Sequence, residues 1–145
     1  MSLRFKIGGE EHEYACALIE GANSDGWLPS KVEVRAGAFS GEYPCYLDTW
    51  AFARFSREVR DLYETLKGTA TFTTYEGQLE IVLVGDGLGH VDVKVQAMDY
   101  AGTGNKLSIR LGIDQTSLPS LIKELDSIVA AYPPPNKSFE RTREG

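Results

Sequence analysis

Apolar residues recur at every second position through most of this chain, the period that a strand with one buried face requires. Leu3, Phe5 and Ile7 alternate with Arg4 and Lys6, and Tyr14, Cys16 and Leu18 follow as the next inward set. Val32, Val34 and Ala36 alternate with Lys31, Glu33 and Arg35, and then come Tyr43, Cys45 and Leu47. After an interruption the pattern resumes with Ala70, Phe72 and Thr74, then Leu79, Ile81 and Leu83. Val91, Val93, Val95 and Ala97 form the next set, and Leu107, Ile109, Leu111 and Ile113 the last. These sets give about eight strands, most joined by short loops bearing Gly, Asn, Asp or Pro, so antiparallel pairing is expected.

Two stretches carry the helical period instead. Within residues 49–67, Phe52, Phe55, Val59, Leu62, Tyr63 and Leu66 share a stripe opposite Arg54, Arg57, Glu58, Arg60, Asp61 and Glu64. Asp48 or Thr49 is placed to cap its start and Gly68 its end. The pairs Arg57–Asp61 and Arg60–Glu64 are i,i+4 neighbours worth only about 0.2–0.5 kcal/mol each, so this face reads as solvated. The second helix begins near Ser117 or Leu118, with Pro119 in a first turn where its missing N–H costs nothing. Leu118, Leu121, Ile122, Leu125, Ile128, Val129 and Tyr132 form its stripe, and Pro133, Pro134 and Pro135 end it.

Each helix must bury a stripe and each strand one face. The expected fold is therefore α+β, a twisted, mainly antiparallel sheet of about eight strands with two helices packed on one side. With 145 residues, 42% of them hydrophobic and 25% charged, the chain suits one domain, placed at 1–133. Residues 134–145, with one aromatic and no periodicity, read as a disordered tail. No apolar run approaches the roughly 20 residues of a membrane helix, and no signal-peptide pattern opens the chain, so a soluble cytoplasmic protein is expected. Cys16 and Cys45 lack metal-ligand spacing and fall at inward strand positions, where buried thiols belong.

Charge restricts the partners. Residues 1–132 hold 12 Lys or Arg against 19 Asp or Glu, a net −7, while residues 133–145 carry +1. Such a field repels a nucleic-acid backbone and suits a partner with a basic face.

The stretch "GDGLGHVDVKVQA" (85–97) poses the main chemical question. A dinucleotide fingerprint needs a third glycine at position 90 and a helix after it, but His90 and a strand stand there. A Walker-type phosphate loop needs Lys and Ser or Thr after its last glycine, and "GHV" follows instead. What is left is a hairpin, with "LEIVLV" (79–84) entering, "GDGLG" turning and "HVDVKVQA" (90–97) returning. Asp86, His90 and Asp92 also offer imidazole and carboxylate for a divalent metal, although the other histidine, His12, lies in a distant segment. No motif places either histidine beside a nucleophile. In "EGANSDGWLPS" (20–30), the one long loop, Trp27 either anchors an interface or folds back over the edge of the core, and Trp50 poses the same choice.

Several segments together resemble the WapI-type immunity proteins. They are "VEVRAGAFSG" (32–41), "LYETLKGTATF" (62–72), "EGQLEIVLVGDGLGHVDV" (76–93) and "GNKLSIRLGIDQTSLPSLI" (104–122), followed by the closing helix. The ordered pair "GDGxGH" and "DQTxLP" is the most specific part, and the resemblance runs from about residue 30 to 133. Gly85, Asp86, Gly87, Gly89, His90, Asp114, Gln115, Thr116 and Pro119 match motif positions to which the resemblance assigns no role.

The resemblance implies a small cytoplasmic protein that binds and blocks the toxic C-terminal domain of a contact-dependent bacterial toxin, in the named case a tRNA-cleaving nuclease. It implies no catalytic residue, cofactor or metal. The expectation is a non-enzymatic protein whose partner is a basic toxin domain rather than nucleic acid or membrane. Asp25 and Trp27 from the long loop, with Asp86, His90 and Asp92 from the turn, are the residues expected to touch it. The alternative is a small metal- or ligand-binding module, or an enzyme, centred on Asp86, His90 and Asp92; a third reading is an interaction module with an unrelated partner.

Overall fold

The computed structural model describes residues 3–10, 12–22 and 25–134. Most of the tail placed at 134–145 thus lies outside the described residues.

The alternating sets become strands β1 (Leu3–Glu10), β2 (Glu13–Ile19), β3 (Trp27–Ala36) and β4 (Phe39–Asp48). Helix α1 (Thr49–Thr65) follows, then β5 (Lys67–Thr73), β6 (Leu79–Asp86), β7 (His90–Met98) and β8 (Lys106–Asp114). A 3-10 turn over Gln115–Ser117 leads into α2 (Leu118–Ala131). All pairing is antiparallel between chain neighbours, as the short connections require.

The α+β class holds, with one change in architecture. The eight strands form two four-stranded meanders, β1-β2-β3-β4 and β5-β6-β7-β8, in place of one sheet. The 17-residue α1 separates β4 from β5 and carries the chain about 25 Å at 1.5 Å per residue. An alternating pattern shows which face of a strand is buried but not which strand lies beside it. The helices likewise do not cover one side of a common sheet. They pack on each other, α1 lying also against β5 and α2 against β1, the edge strands of the two meanders.

Four fully buried phenylalanines mark this junction: Phe5 from β1, Phe52 and Phe55 from α1, and Phe72 from β5. Their ring centroids stand 5.0–6.3 Å apart, mostly edge to face. Such pairs contribute about 0.5–1.5 kcal/mol each beyond the area they bury. The inward faces of both sheets and the stripes of both helices continue from them into one core.

Several local expectations change. In β2 the buried residues are Ala15, Ala17 and Ile19, while Tyr14, Cys16 and Leu18 lie half-buried on the opposite face. "YACALI" is apolar on both faces, and the register decides, setting Ala15 opposite Val34 and Ala17 opposite Val32. Cys45 is buried as expected, whereas Cys16 is not at an inward position. In α1, Asp48 is the cap, its Oδ1 accepting the Ala51 N–H at 2.8 Å, but the helix stops at Leu66 in the left-handed region (φ 65°) before reaching Gly68. Tyr63, still within the helix, lies off the buried stripe of Phe52, Phe55, Val59 and Leu62 and is exposed. Arg60 pairs with Asp126 of α2, which also accepts the Ser56 hydroxyl at 2.6 Å, so the polar face of α1 is partly an inter-helix contact. No helix among the described residues is long and apolar enough to cross a membrane.

Candidate functional site

The glycine-rich stretch is a clamped β-turn. Gly87 and Gly89 adopt φ of 85° and 104°, which side chains other than glycine tolerate poorly. The Asp86 Oδ1 accepts the N–H of Leu88 at 2.7 Å and that of His90 at 3.1 Å. The Gly87 N–H donates to the Leu66 carbonyl at the end of α1 (2.8 Å), and Gln115 N–H donates to the Gly89 carbonyl (2.7 Å). Three of the N–H groups with which such a loop would hold a phosphate are therefore already used by the protein. At the base of the turn Gly85 fits under the end of α1, where a Cβ would lie 2.6 Å from the Leu66 carbonyl oxygen.

This bracing holds Leu88 out in solvent, 89% exposed. Donation from Leu88 N–H, reinforced by that of His90, keeps the Asp86 carboxyl below the usual carboxylate range. Across the β7–β8 ladder His90 faces Asp114. Asp114 accepts both the hydroxyl and the N–H of Thr116, and these donors, the hydroxyl first, lower its pKa as well. Asp92 follows His90 on the same outward face of β7, opposite Gly112 and Val84. Lys67 stands opposite Asp86 across β5–β6.

The structure thus gathers Asp86, His90 and Asp92 at one end of the second sheet and adds Leu88 and Asp114. Among the described residues no group of three His, Cys, Asp or Glu side chains is arranged to hold a metal ion. Asp86 and Asp114 are ionised acceptors engaged with their own turns, an arrangement suited to meeting positive charge around an apolar tip. Leu88 was legible in principle, since an apolar residue flanked by glycines in a hairpin turn has no core to enter. Asp114 carries the Asp-x-Thr spacing of a local cap.

Asp25 and Trp27 lie elsewhere. Trp27 opens β3 opposite Asp48, its half-buried ring 5.7 Å from that of Tyr75, whose N–H donates to Asp48 Oδ2 at 3.3 Å. Trp27 thus stands beside Tyr75 and across the strand pair from Asp48, the cap of α1, and exposed Asp25 lies two residues before it. The Leu88 turn is bonded to the other end of the same helix, about 25 Å away along its axis. The five expected contact residues thus form two groups.

A family model described as the immunity protein WapI-like family matches residues 2–133, extending the resemblance over the N-terminal strands. No curated protein matches the chain.

Proposed function

Since the chain belongs to the immunity protein WapI-like family, we propose that it binds the toxic domain of a contact-dependent bacterial toxin and neutralises it without performing a reaction of its own. The observation that carries this reading is the family match over residues 2–133, nearly the whole of the described chain. The finer statements are that the toxin domain is a basic nuclease, that the protein masks its RNA-binding surface, and that it does so in the cytoplasm.

Charge and shape support these statements. Residues 1–132 carry a net −7, and a surface that contacts RNA is positive, so attraction speeds encounter and favours the right partner. The Leu88 turn supplies a braced apolar tip with Asp86, His90 and Asp114 around it, and little ordering entropy is lost when such a tip docks. Asp25 and Trp27, at the far end of α1, belong to the same interface only if it runs the length of that helix. The test is growth of cells expressing the toxic domain of a neighbouring secreted toxin, with and without this protein. Survival with it is expected; equal killing in both cultures contradicts the reading.

A further inference from the structure

A pocket of about 520 Å³ lies against β3 and β4, lined there by Pro29, Ser30 and Tyr46 and away from the Leu88 turn. Strands of the first sheet and the segments flanking β6 and β7 build it. Tyr46 comes from β4, Gln78 precedes β6, and Asp99 and Tyr100 come from the connection after β7. The wall is fixed, because the buried Tyr43 hydroxyl of β4 and the Met98 N–H both donate to the Gln78 carbonyl.

Its charged lining is acidic. Glu20, Glu76 and Asp99 line the pocket, and no Lys, Arg or His is among its described lining residues; Lys31, outside the lining and paired with Glu42, is near enough to feel the Glu20 charge. Among the described residues neither Glu20 nor Glu76 forms an ion pair. Asp99 stays ionised because Asn105 donates to it through both its side-chain amide and its backbone N–H. Gln78 is 6% exposed; its Nε2 donates to the Met98 carbonyl, while its Oε1 accepts no hydrogen bond from any described residue. Tyr46 and Tyr100, 52% and 70% exposed, complete the rim with aromatic surface.

A single kind of group answers all of these features. It must be positive to meet three carboxylates, carry several donors to reach the unused Gln78 oxygen as well, and be flat to stack on tyrosine. A guanidinium has these properties, whereas an ammonium lacks the planar fork and a carboxylate or phosphate is repelled. We propose that this pocket receives an arginine side chain of the toxin domain, an inference that rests on the immunity reading above. The preformed wall lets the arginine dock without first ordering the site.

The test compares the full chain with the double variant Glu20→Gln/Glu76→Gln and with Tyr100→Ala, each titrated calorimetrically with the toxin domain. The same proteins are titrated with N-acetyl-arginine amide and N-acetyl-norleucine amide while the Gln78 side-chain amide is followed by NMR. Both variants are expected to keep the parent urea midpoint, and the double variant to bind the toxin domain about tenfold or more weakly. The blocked arginine is expected to shift the Gln78 amide and the blocked norleucine to leave it in place. If the parent binds the toxin domain and both variants bind it as tightly, the pocket assignment fails while the immunity reading stands. If the parent does not bind at all, both fail. Binding of blocked arginine without any effect of the variants on the toxin complex marks a site for a small cation and also overturns the proposal.

Discussion

Tyr43 donates its hydroxyl to the backbone carbonyl of Gln78, and the bond joins the edge strand of the first sheet to the segment that enters the second. Both residues are buried, Tyr43 5% and Gln78 6% exposed, and burial raises the phenol pKa well above its ordinary value. The two meanders share no strand ladder, so contacts of this kind and the phenylalanine cluster fix one sheet relative to the other.

Tyr43→Phe is expected to lower stability by about 1 kcal/mol and no more than about 2. The Gln78 carbonyl keeps the Met98 N–H at 3.0 Å, so the substitution leaves no orphaned acceptor. Urea unfolding of parent and variant at neutral pH measures the difference.

Gly85→Ala is expected to be more damaging than its size suggests. The new Cβ would sit 2.6 Å from the Leu66 carbonyl oxygen and 2.8 Å from Leu62 Cδ1, and backbone yields less readily than a flexible side chain. A loss of about 1–3 kcal/mol is expected. A chemical-unfolding midpoint equal to that of the parent would show that β6 does not pack so closely under the end of α1.

Much of the fold was legible in the sequence because burial in seven of the strands leaves a one-faced trace. The phase of β2 was not, since Ala15 and Ala17 on one face and Cys16 and Leu18 on the other are all apolar, and only pairing with β3 selects between them. The end of α1 was misplaced because glycine is the usual left-handed terminator, yet here Leu66 takes that conformation, with its carbonyl accepting from Gly87. Division into two sheets is a long-range property that no local period encodes. At the site, the turn itself was readable from its glycines. Its bracing by Leu66 and Gln115, and the 25 Å span to Trp27, depend on tertiary packing.

The turn should also register in acid. Asp86 and Asp114 have pKa values depressed in the folded state by the donors around them. Their stabilising contribution is therefore complete above the unfolded value of about 3.9 and is lost as pH falls through the folded values. Asp86→Asn keeps an oxygen for the Leu88 and His90 N–H groups but removes the charge. The variant is expected to be less stable than the parent near neutral pH, with the gap closing as pH falls below the unfolded carboxylate value and through the depressed folded one. Denaturant midpoints across that range decide it; a gap independent of pH contradicts the role given to the Asp86 charge.

Leu88 offers a separation of stability from binding. At 89% exposure it contributes little to the core, so Leu88→Ala should change unfolding free energy by less than about 0.5 kcal/mol. As an apolar anchor it should weaken the toxin complex by about 1–2 kcal/mol, chiefly through faster dissociation. Surface plasmon resonance on immobilised toxin domain reads both rates.

The central claim is that this chain acts by occupying its partner's surface in a fixed ratio. The direct measurement is the purified toxin domain's activity titrated with purified protein, followed by analysis of both chains. Activity falling in proportion to added protein and reaching zero at one equivalent, with neither chain chemically altered, is the result the account predicts. Undiminished activity at excess, or inactivation by a small fraction of an equivalent with the toxin covalently changed, would contradict it.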